Sequence, residues 1–393
     1  MTAVVQATVE AAHILVVDDN EANRDLLVRR LHRQGHSTEM AVDGREALDM
    51  LRAGAFDLVL LDIMMPVMSG YELLEHLKAD EVLRHLPVIL ISALDDTDSM
   101  VKGIAMGADD HLPKPFNPHI LRARVGASLA RKRLHDREQM HARSLEREMD
   151  IARDIQAGFL PERLPATADW DLAAWFQPAR RVGGDFYDAF ELHGGGRIAI
   201  VVADVCDKGV GAALFMALFR SLVRALAERM LSVDGDPMVE VRQLVDSVND
   251  YIARTHSSAN MFATLFLGTL NTASGELVYV NCGHEAPVVC GPAGVRARLA
   301  PTGPAAGMFP AMTFHARRET LTVGETLVAF TDGVTDSRDA DGVMFSEPRL
   351  LALLSPPPGS AQATVEQIRN AVQAHARDVV PFDDITLFVV HRN

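Results

Sequence analysis

Three unbroken apolar runs mark the first third of the chain: Ile14-Leu15-Val16-Val17, Leu58-Val59-Leu60-Leu61 and Val88-Ile89-Leu90-Ile91. Continuous apolar runs of this length fit strands buried on both faces, as in a parallel sheet covered by helices. Between them apolar positions recur at helical spacing, with Ala22, Leu26, Leu27 and Leu31 on one face. From residue 13 to about 129 this alternation predicts a doubly wound α/β domain, whose ligands would bind at the carboxyl ends of the strands.

The pattern changes at about residue 130. Residues 130–159 combine strong helix formers, dense mixed charge and no proline, with sparse apolar positions at Leu134, Met140, Leu145, Met149, Ala152 and Ile155. This predicts one helix with an imperfect heptad, either a solvated connector or a signalling helix that dimerises or docks on its neighbours. Leu160-Pro161 ends it. Beyond it, strands are predicted at 170–176, 186–192, 197–203, 261–270, 276–281, 326–331 and 385–390, with Gly194-Gly195-Gly196 as a hairpin turn. Phe215, Leu218, Phe219, Leu222, Val223 and Leu226 outline one buried helix, and Val241, Leu244, Val245, Val248 and Ile252 a second. Strands around a helix pair predict an α/β sandwich of two sheets flanked by helices. Residues 355–360 read as a surface loop, and no internal repeat is found. The expected domains are 13–128, a helical linker at 129–160, and 161–393.

A length of 393 residues accommodates two or three such domains, and 48% apolar with 23% charged residues indicates a globular chain. Fifty-three acids against 38 bases give a net charge of −15, which argues against a nucleic-acid partner. Cys206, Cys282 and Cys290 lack metal-ligand spacing and fit unpaired thiols in a reducing compartment. No apolar run approaches the ~18 residues of a membrane span; the richest, 210–219, ends at Arg220. The N-terminus lacks the basic region and cleavage pattern of a signal peptide. The expectation is a cytoplasmic protein without membrane insertion.

Charge matters most where it clusters. Asp18-Asp19 and Asp62 close two of the apolar runs, and a second set contains Asp185, Asp204, Asp332, Asp383 and Asp384. Carboxylates gathered at strand ends repel one another unless a cation joins them, so both sets point to divalent metal.

The first set sits in Val17-Asp18-Asp19, Leu61-Asp62-Ile63-Met64-Met65-Pro66, Ile91-Ser92-Ala93 and Lys114-Pro115-Phe116, which together resemble the receiver domain of bacterial response regulators. The resemblance implies that Asp62 accepts a phosphoryl group from a sensor histidine kinase or phosphotransfer protein. It implies Mg²⁺ held by Asp18, Asp19, Asp62 and the Met64 carbonyl, with Lys114 pairing with the acyl phosphate and the Ser92 hydroxyl bonding it. His111 stands where the family often has an aromatic residue, which implies an altered or pH-responsive readout of the switch.

The second set belongs to a longer series of motifs. They are 182–188 (Val-Gly-Gly-Asp-Phe-Tyr-Asp), Ala203-Asp204-Val205-Cys206-Asp207-Lys208-Gly209, Met261-Phe262-Ala263-Thr264, Asn281-Cys282-Gly283-His284, Phe330-Thr331-Asp332-Gly333 and Asp383-Asp384-Ile385-Thr386. In this order they resemble the SpoIIE-type branch of the PPM metal-dependent serine/threonine phosphatases, from about residue 150 onward, and Ile155-Gln156 through Leu160-Pro161 resembles that branch's lead-in segment. The resemblance implies two Mn²⁺ or Mg²⁺ ions among Asp185, Asp204, Asp332 and one of Asp383 and Asp384, with the Val205 carbonyl as a further ligand. Asp383 aligns better with the ligand position. Two such ions ~3.5–4 Å apart activate a water and stabilise a leaving oxygen, so no protein nucleophile is needed. The implied substrate is a phosphorylated protein, an anti-sigma-factor antagonist, with Asp62 phosphorylation controlling the output.

Two rivals accompany this reading. Relatives commonly carry a small residue and glycine where this chain has Cys206 and Asp207, so the metal loop is expected to differ, and a phosphorylation-regulated binding module with weak or no activity is an alternative. Gly183-Gly184-Asp185 also resembles the signature of diguanylate cyclases that follow receivers. Phe186 in place of the signature glutamate, and too short a lead-in, oppose that reading.

Overall fold

The computed structural model describes residues 11–93, 97–192, 196–232, 235–377 and 379–393. Gly194 and Gly195 of the expected hairpin turn lie outside the described residues. The chain divides into two compact units, one ending at Leu145 and the other beginning at Glu146.

In the first unit the strands are β1 (His13–Val17), β2 (Ser37–Ala41), β3 (Leu58–Asp62), β4 (Val88–Ala93) and β5 (Asp110–Lys114). They form one parallel sheet in the order β2-β1-β3-β4-β5. Helices α1 (Glu21–His32), α2 (Gly44–Ala53), α3 (Gly70–Ala79), α4 (Thr97–Ala105) and α5 (Pro118–Ala157) connect or follow them. The central runs are buried on both faces. Leu15, Val17, Val59 and Leu61 join one apolar cluster, while Ile14, Val16, Leu58 and Leu60 join the other. Helix starts are fixed by side chains: Asp43 caps α2, and Ser69 and Glu72 form a capping box on α3.

The long helix differs from expectation. It begins at Pro118, not near 130, and runs without interruption for 40 residues, about 60 Å at 1.5 Å per residue. Leu121, Val125 and Leu129 bury its first turns in the receiver core, whereas Leu134, Met140 and Leu145 are exposed. The sequence change at 130 therefore marks where one helix leaves its core, not where a helix starts.

The second unit contains β6 (Trp170–Gln177), β7 (Phe186–Leu192), β8 (Arg197–Val205), α6 (Val210–Met230), α7 (Pro237–Thr255), β9 (Ala263–Asn271) and β10 (Glu276–Cys282). It continues with β11 (Val288–Gly291), β12 (Gly294–Arg298), β13 (Arg317–Thr320), β14 (Thr326–Phe330), α8 (Asp332–Thr335), α9 (Glu347–Leu353), α10 (Ala361–Ala376) and β15 (Ile385–Arg392). Two antiparallel sheets result, β13-β10-β9-β8-β7 and β12-β11-β14-β15-β6. Alternation along β8 assigns the layers: Ile198, Ile200 and Val202 meet Phe388 and Val390 of the other sheet, while Ala199, Val201 and Ala203 pack with α6 and α7. On the far side Val328, Phe330, Leu387 and Val389 pack with α9 and α10. The architecture is the expected pair of sheets flanked by helices.

Helix α6 corrects two readings. Its fully buried face is Ala212, Met216, Phe219, Val223 and Ala227, while Phe215, Leu218, Leu222 and Leu226 are only partly buried beside it. By length and composition it also passes for a membrane span, contrary to the expectation that no segment would. Its buried face belongs to the apolar cluster that α6 and α7 form with the sheet.

Candidate metal and phosphoryl sites

The first site assembles at the carboxyl ends of β1, β3 and β5. Oxygens of Asp18, Asp19 and Asp62 lie within 4.8 Å of one another, the only such group of three among the described residues. Lys114 Nζ lies 2.9 Å from Asp62 Oδ2 and 3.0 Å from Asp18 Oδ2. Asp18 is wholly buried and its Oδ1 accepts the Asn20 N–H at 2.9 Å, so its orientation is fixed. Asp62 accepts the Ile63 N–H at 3.0 Å. Burial, together with repulsion from Asp18, raises the Asp62 pKa, and Lys114 offsets part of that rise. Burial opposes the Lys114 ammonium, but its pairing with Asp62 and Asp18 outweighs burial and raises its pKa. Three acids against one lysine leave an excess of negative charge that a hard divalent cation fits. Ser92 is buried on β4, one residue past the end of its apolar run. His111 is half-buried on β5, and the Met64 side chain is exposed in the loop after β3.

The second site lies at one end of the layer between the two sheets. Asp185 immediately precedes β7, Asp204 is near the end of β8, Asp332 follows β14, and Asp383-Asp384 precede β15. Antiparallel pairing brings these ends together, as Phe186 opposite Ala203 and Phe330 opposite Leu387 illustrate. Thr331 and Thr386 hydroxyls donate to Asp185 Oδ2 at 2.7 and 2.8 Å. Burial, then repulsion from Asp204 and Asp384, raises the Asp185 pKa well above the ordinary carboxylate range. Burial and repulsion from Asp332 and Asp383 push Asp204 to about 7. Burial and repulsion from Asp383 push Asp332 to about 6. Carboxylates held against their own repulsion suit a cation.

The adjacent acids left open by the sequence have different surroundings. Asp384 accepts from the Ala179 N–H at 2.7 Å and the Gly184 N–H at 2.6 Å, so its carboxylate organises the turn before Asp185. Asp383 pairs with Lys208 at 2.7 Å and repels both Asp204 and Asp332, Asp204 more strongly than Asp384 does. Both glycines of the turn are sterically required. A Cβ at Gly183 would lie 2.3 Å from Asp384 Oδ2, and one at Gly184 would lie 2.7 Å from the Val205 carbonyl oxygen. The same contact puts the Val205 carbonyl beside the turn that carries Asp185.

Gly183→Ala must therefore displace Asp384 or the turn. Overpacking of this kind costs about 1–3 kcal/mol, a roughly 5- to 150-fold loss if it falls on divalent-metal affinity. Calorimetric Mn²⁺ titration against the parent would show it, with both proteins carrying Asp19→Asn so that the receiver acids do not mask the second set. Unchanged affinity would separate the turn from metal binding.

Asp207 has a φ of 73°, the left-handed region that glycine adopts freely. The backbone at this position is one that glycine adopts more freely than aspartate. The Cys206 thiol accepts the Phe262 N–H at 3.2 Å, and burial raises its pKa, which disfavours the reactive thiolate. His284 is buried with Nδ1 on the Thr264 hydroxyl at 2.9 Å, and burial lowers its pKa to about 4, so it is neutral at physiological pH. Thr331, Thr386 and Lys208 lay inside quoted motifs without a role; their position next to the acids was the available signal.

A five-stranded parallel sheet with an Asp-Asp-Lys site, followed by a two-sheet sandwich with acids at one end, defines a receiver joined to a PPM-type domain. A family model described as Response regulator receiver domain matches residues 14–126, and one described as Stage II sporulation protein E (SpoIIE) matches residues 194–393. This chain belongs to the SpoIIE family and carries a response regulator receiver domain. It is similar to Protein IcfG of Synechocystis sp., 41% identical over 264 residues, which cover 63% of this chain and 42% of that protein. It is also similar to Response regulator PleD of Caulobacter vibrioides, 33% identical over 255 residues, covering 62% and 56%. The chain thus spans about half the length of these relatives. The SiaA-PP2C domain of Pseudomonas aeruginosa shares the fold, with a TM-score of 0.52 at 24% identity over 64% of this chain and 98% of that domain.

Proposed function

We propose that this chain is a two-component response regulator whose output is metal-dependent hydrolysis of phosphoserine or phosphothreonine on a protein, controlled by phosphorylation of Asp62. The observation that carries the output is the convergence of Asp185, Asp204, Asp332 and Asp383 at one end of the sandwich, two of them with pKa values raised to about 7 and 6. Divalent ions bound there, Mn²⁺ or Mg²⁺, supply activation of water and neutralisation of phosphoryl charge. Asp204, near the end of β8, and Asp332, at the start of α8, would hold them. Asp185 is oriented by Thr331 and Thr386, Asp383 completes the acid set, and the Val205 carbonyl adds a main-chain donor. Asp384 acts through the turn it organises.

Asp62, with Lys114 and Ser92 beside it and Mg²⁺ held by Asp18, Asp19, Asp62 and the Met64 carbonyl, supports phosphoryl transfer from a sensor histidine kinase or phosphotransfer protein. Family membership supports a phosphorylated anti-sigma-factor antagonist as substrate. The exposed Leu134, Met140, Leu145, Ile151 and Ile155 on α5 support a homodimer through that helix. A cytoplasmic location fits both domain types. We assign residues 13–128 to the receiver, 129–160 to the linker and 161–393 to the phosphatase.

The test is phosphate release from a phosphoserine protein or peptide with Mn²⁺, Mg²⁺ or chelator. Metal-dependent release is expected; metal binding without release on several substrates would favour the binding module.

Proton linkage gives a second check. Asp204 and Asp332 have folded-state pKa values above the unfolded carboxylate value. The folded, metal-free state therefore binds more protons than the unfolded one between the ordinary carboxylate range and about 7. Their contribution to stability is fullest at acid pH and is lost as pH rises through that window. Metal must displace those protons, so Mn²⁺ affinity is expected to rise with pH up to about 7 and then level. The melting-temperature gain on adding Mn²⁺ should rise in parallel. A gain independent of pH would contradict the assignment of these acids.

A further inference from the structure

Near the end of helix α5, from 146 to 157, a single residue is buried. Ile151 and Ile155 are 60% and 61% exposed, whereas Gln156 is 6% exposed. The Gln156 amide spends both ends on the main chain of Gly183: Nε2 donates to the carbonyl at 2.6 Å, and Oε1 accepts the N–H at 3.0 Å. Gly183 adjoins Gly184 and Asp185, whose N–H groups donate to Asp384 Oδ2 at 2.6 and 3.4 Å. The turn that presents Asp185 is thus held from two directions, by Asp384 ahead of β15 and by Gln156 from the helix. Gly183 has no side chain to fix itself, and none would fit, since a Cβ would meet Asp384. A further tie between helix and turn, Arg181 to Asp150 at 2.5 Å, joins two half-exposed side chains. Exposed ion pairs of that kind contribute little, whereas losing a buried amide leaves main-chain donors and acceptors unpaired.

We propose that Gln156 is a positioning residue for the second acid site: its amide fixes Gly183 and so orients Asp185, and a shift of the end of α5 reaches Asp185 through a single pair of hydrogen bonds. This deepens the phosphatase reading and rests on it for its consequence. Gln156 stands outside the acid set and bonds only the Gly183 main chain. Groups that orient metal-binding side chains typically matter by roughly 10- to 100-fold in affinity or activity.

The experiment compares the full-length chain with Gln156→Leu, which keeps the approximate size and removes both hydrogen bonds, and Gln156→Glu, which keeps an acceptor for the Gly183 N–H and loses the donor. Amide hydrogen exchange at 183–185, measured without metal, reads the clamp directly. Mn²⁺ titration, with Asp19→Asn in every sample, reads its consequence. The expected result is faster exchange at 183–185 in Gln156→Leu with about tenfold weaker Mn²⁺ binding, and Gln156→Glu between it and the parent. Exchange and Mn²⁺ midpoints equal to the parent in both variants would overturn the proposal. If Gln156→Leu does not fold, Gln156→Glu decides by the same two readouts. Absence of phosphate release by the parent would sink the phosphatase reading alone, because the exchange comparison does not depend on turnover.

Discussion

Asp332→Asn is expected to lower Mn²⁺-dependent phosphate release by roughly 10²–10³-fold, the usual scale for removing one group that stabilises transition-state charge. Asp332 begins the short helix α8, where burial and Asp383 raise its pKa to about 6. Asparagine keeps the shape and removes the charge that holds a cation. The metal-free melting temperature should stay level or rise, because the ionised form of a carboxylate with a raised pKa is the unfavourable one. This combination, activity lost and metal-free stability kept, separates a ligand from a structural acid. Asp341→Asn, on the exposed loop after α8, is the control and should retain full activity. Comparable rates for Asp332→Asn and the parent would remove Asp332 from the metal site.

Asp62→Asn is expected to abolish formation of an acyl phosphate from a small phosphodonor in Mg²⁺. The amide lacks the nucleophilic carboxylate oxygen, so the loss should be complete and not a reduced rate. Asp62 is 5% exposed, with Lys114 on Oδ2 and the Ile63 N–H on Oδ1, so its geometry is fixed before any phosphoryl group arrives. Lys114→Ala should leave Asp18 and Asp62 repelling each other across a buried gap, raising the Asp62 pKa further and slowing acceptance. Phosphate-affinity electrophoresis reads both variants. Acid-labile phosphate persisting on Asp62→Asn would move the acceptor elsewhere.

The parts of the fold that were legible are those whose burial is symmetric. β1, β3 and β4 are buried on both faces and write that into continuous apolar runs, whereas β2 (Ser-Thr-Glu-Met-Ala) and β5 (Asp-His-Leu-Pro-Lys) lie at the sheet's edges and show little of it. β13, Arg-Arg-Glu-Thr, is an edge strand of four polar residues and was missed for the same reason. β11 and β12 are only four and five residues long. α10 could have been found, since Ala361, Thr364, Val365, Ile368 and Val372 are its buried stripe, but the proline-rich loop before it drew the reading instead.

At the sites, motifs located the acids and physics had to sort them. Asp383 and Asp384 are neighbours in sequence, yet Asp384 accepts main-chain N–H groups from the turn some 200 residues away, whereas Asp383 accepts the N–H of Asp384 next to it and pairs with Lys208. Thr331, just past β14, and Thr386, on β15, converge on one oxygen of Asp185, which no local pattern encodes. The helix start at Pro118 was hidden because its buried turns read as part of the receiver and its exposed turns as a separate linker. Asp207 holds a glycine-like φ that its side chain alone would not suggest.

The most direct test of the whole account is Mn²⁺-dependent phosphate release from a phosphoserine substrate by the full-length chain, with and without beryllofluoride, in the parent and in Asp62→Asn. The account predicts release that requires metal, a rate that changes when beryllofluoride occupies the parent's receiver, and no such change in Asp62→Asn. Equal rates from treated parent, untreated parent and Asp62→Asn would contradict control of the phosphatase by the receiver.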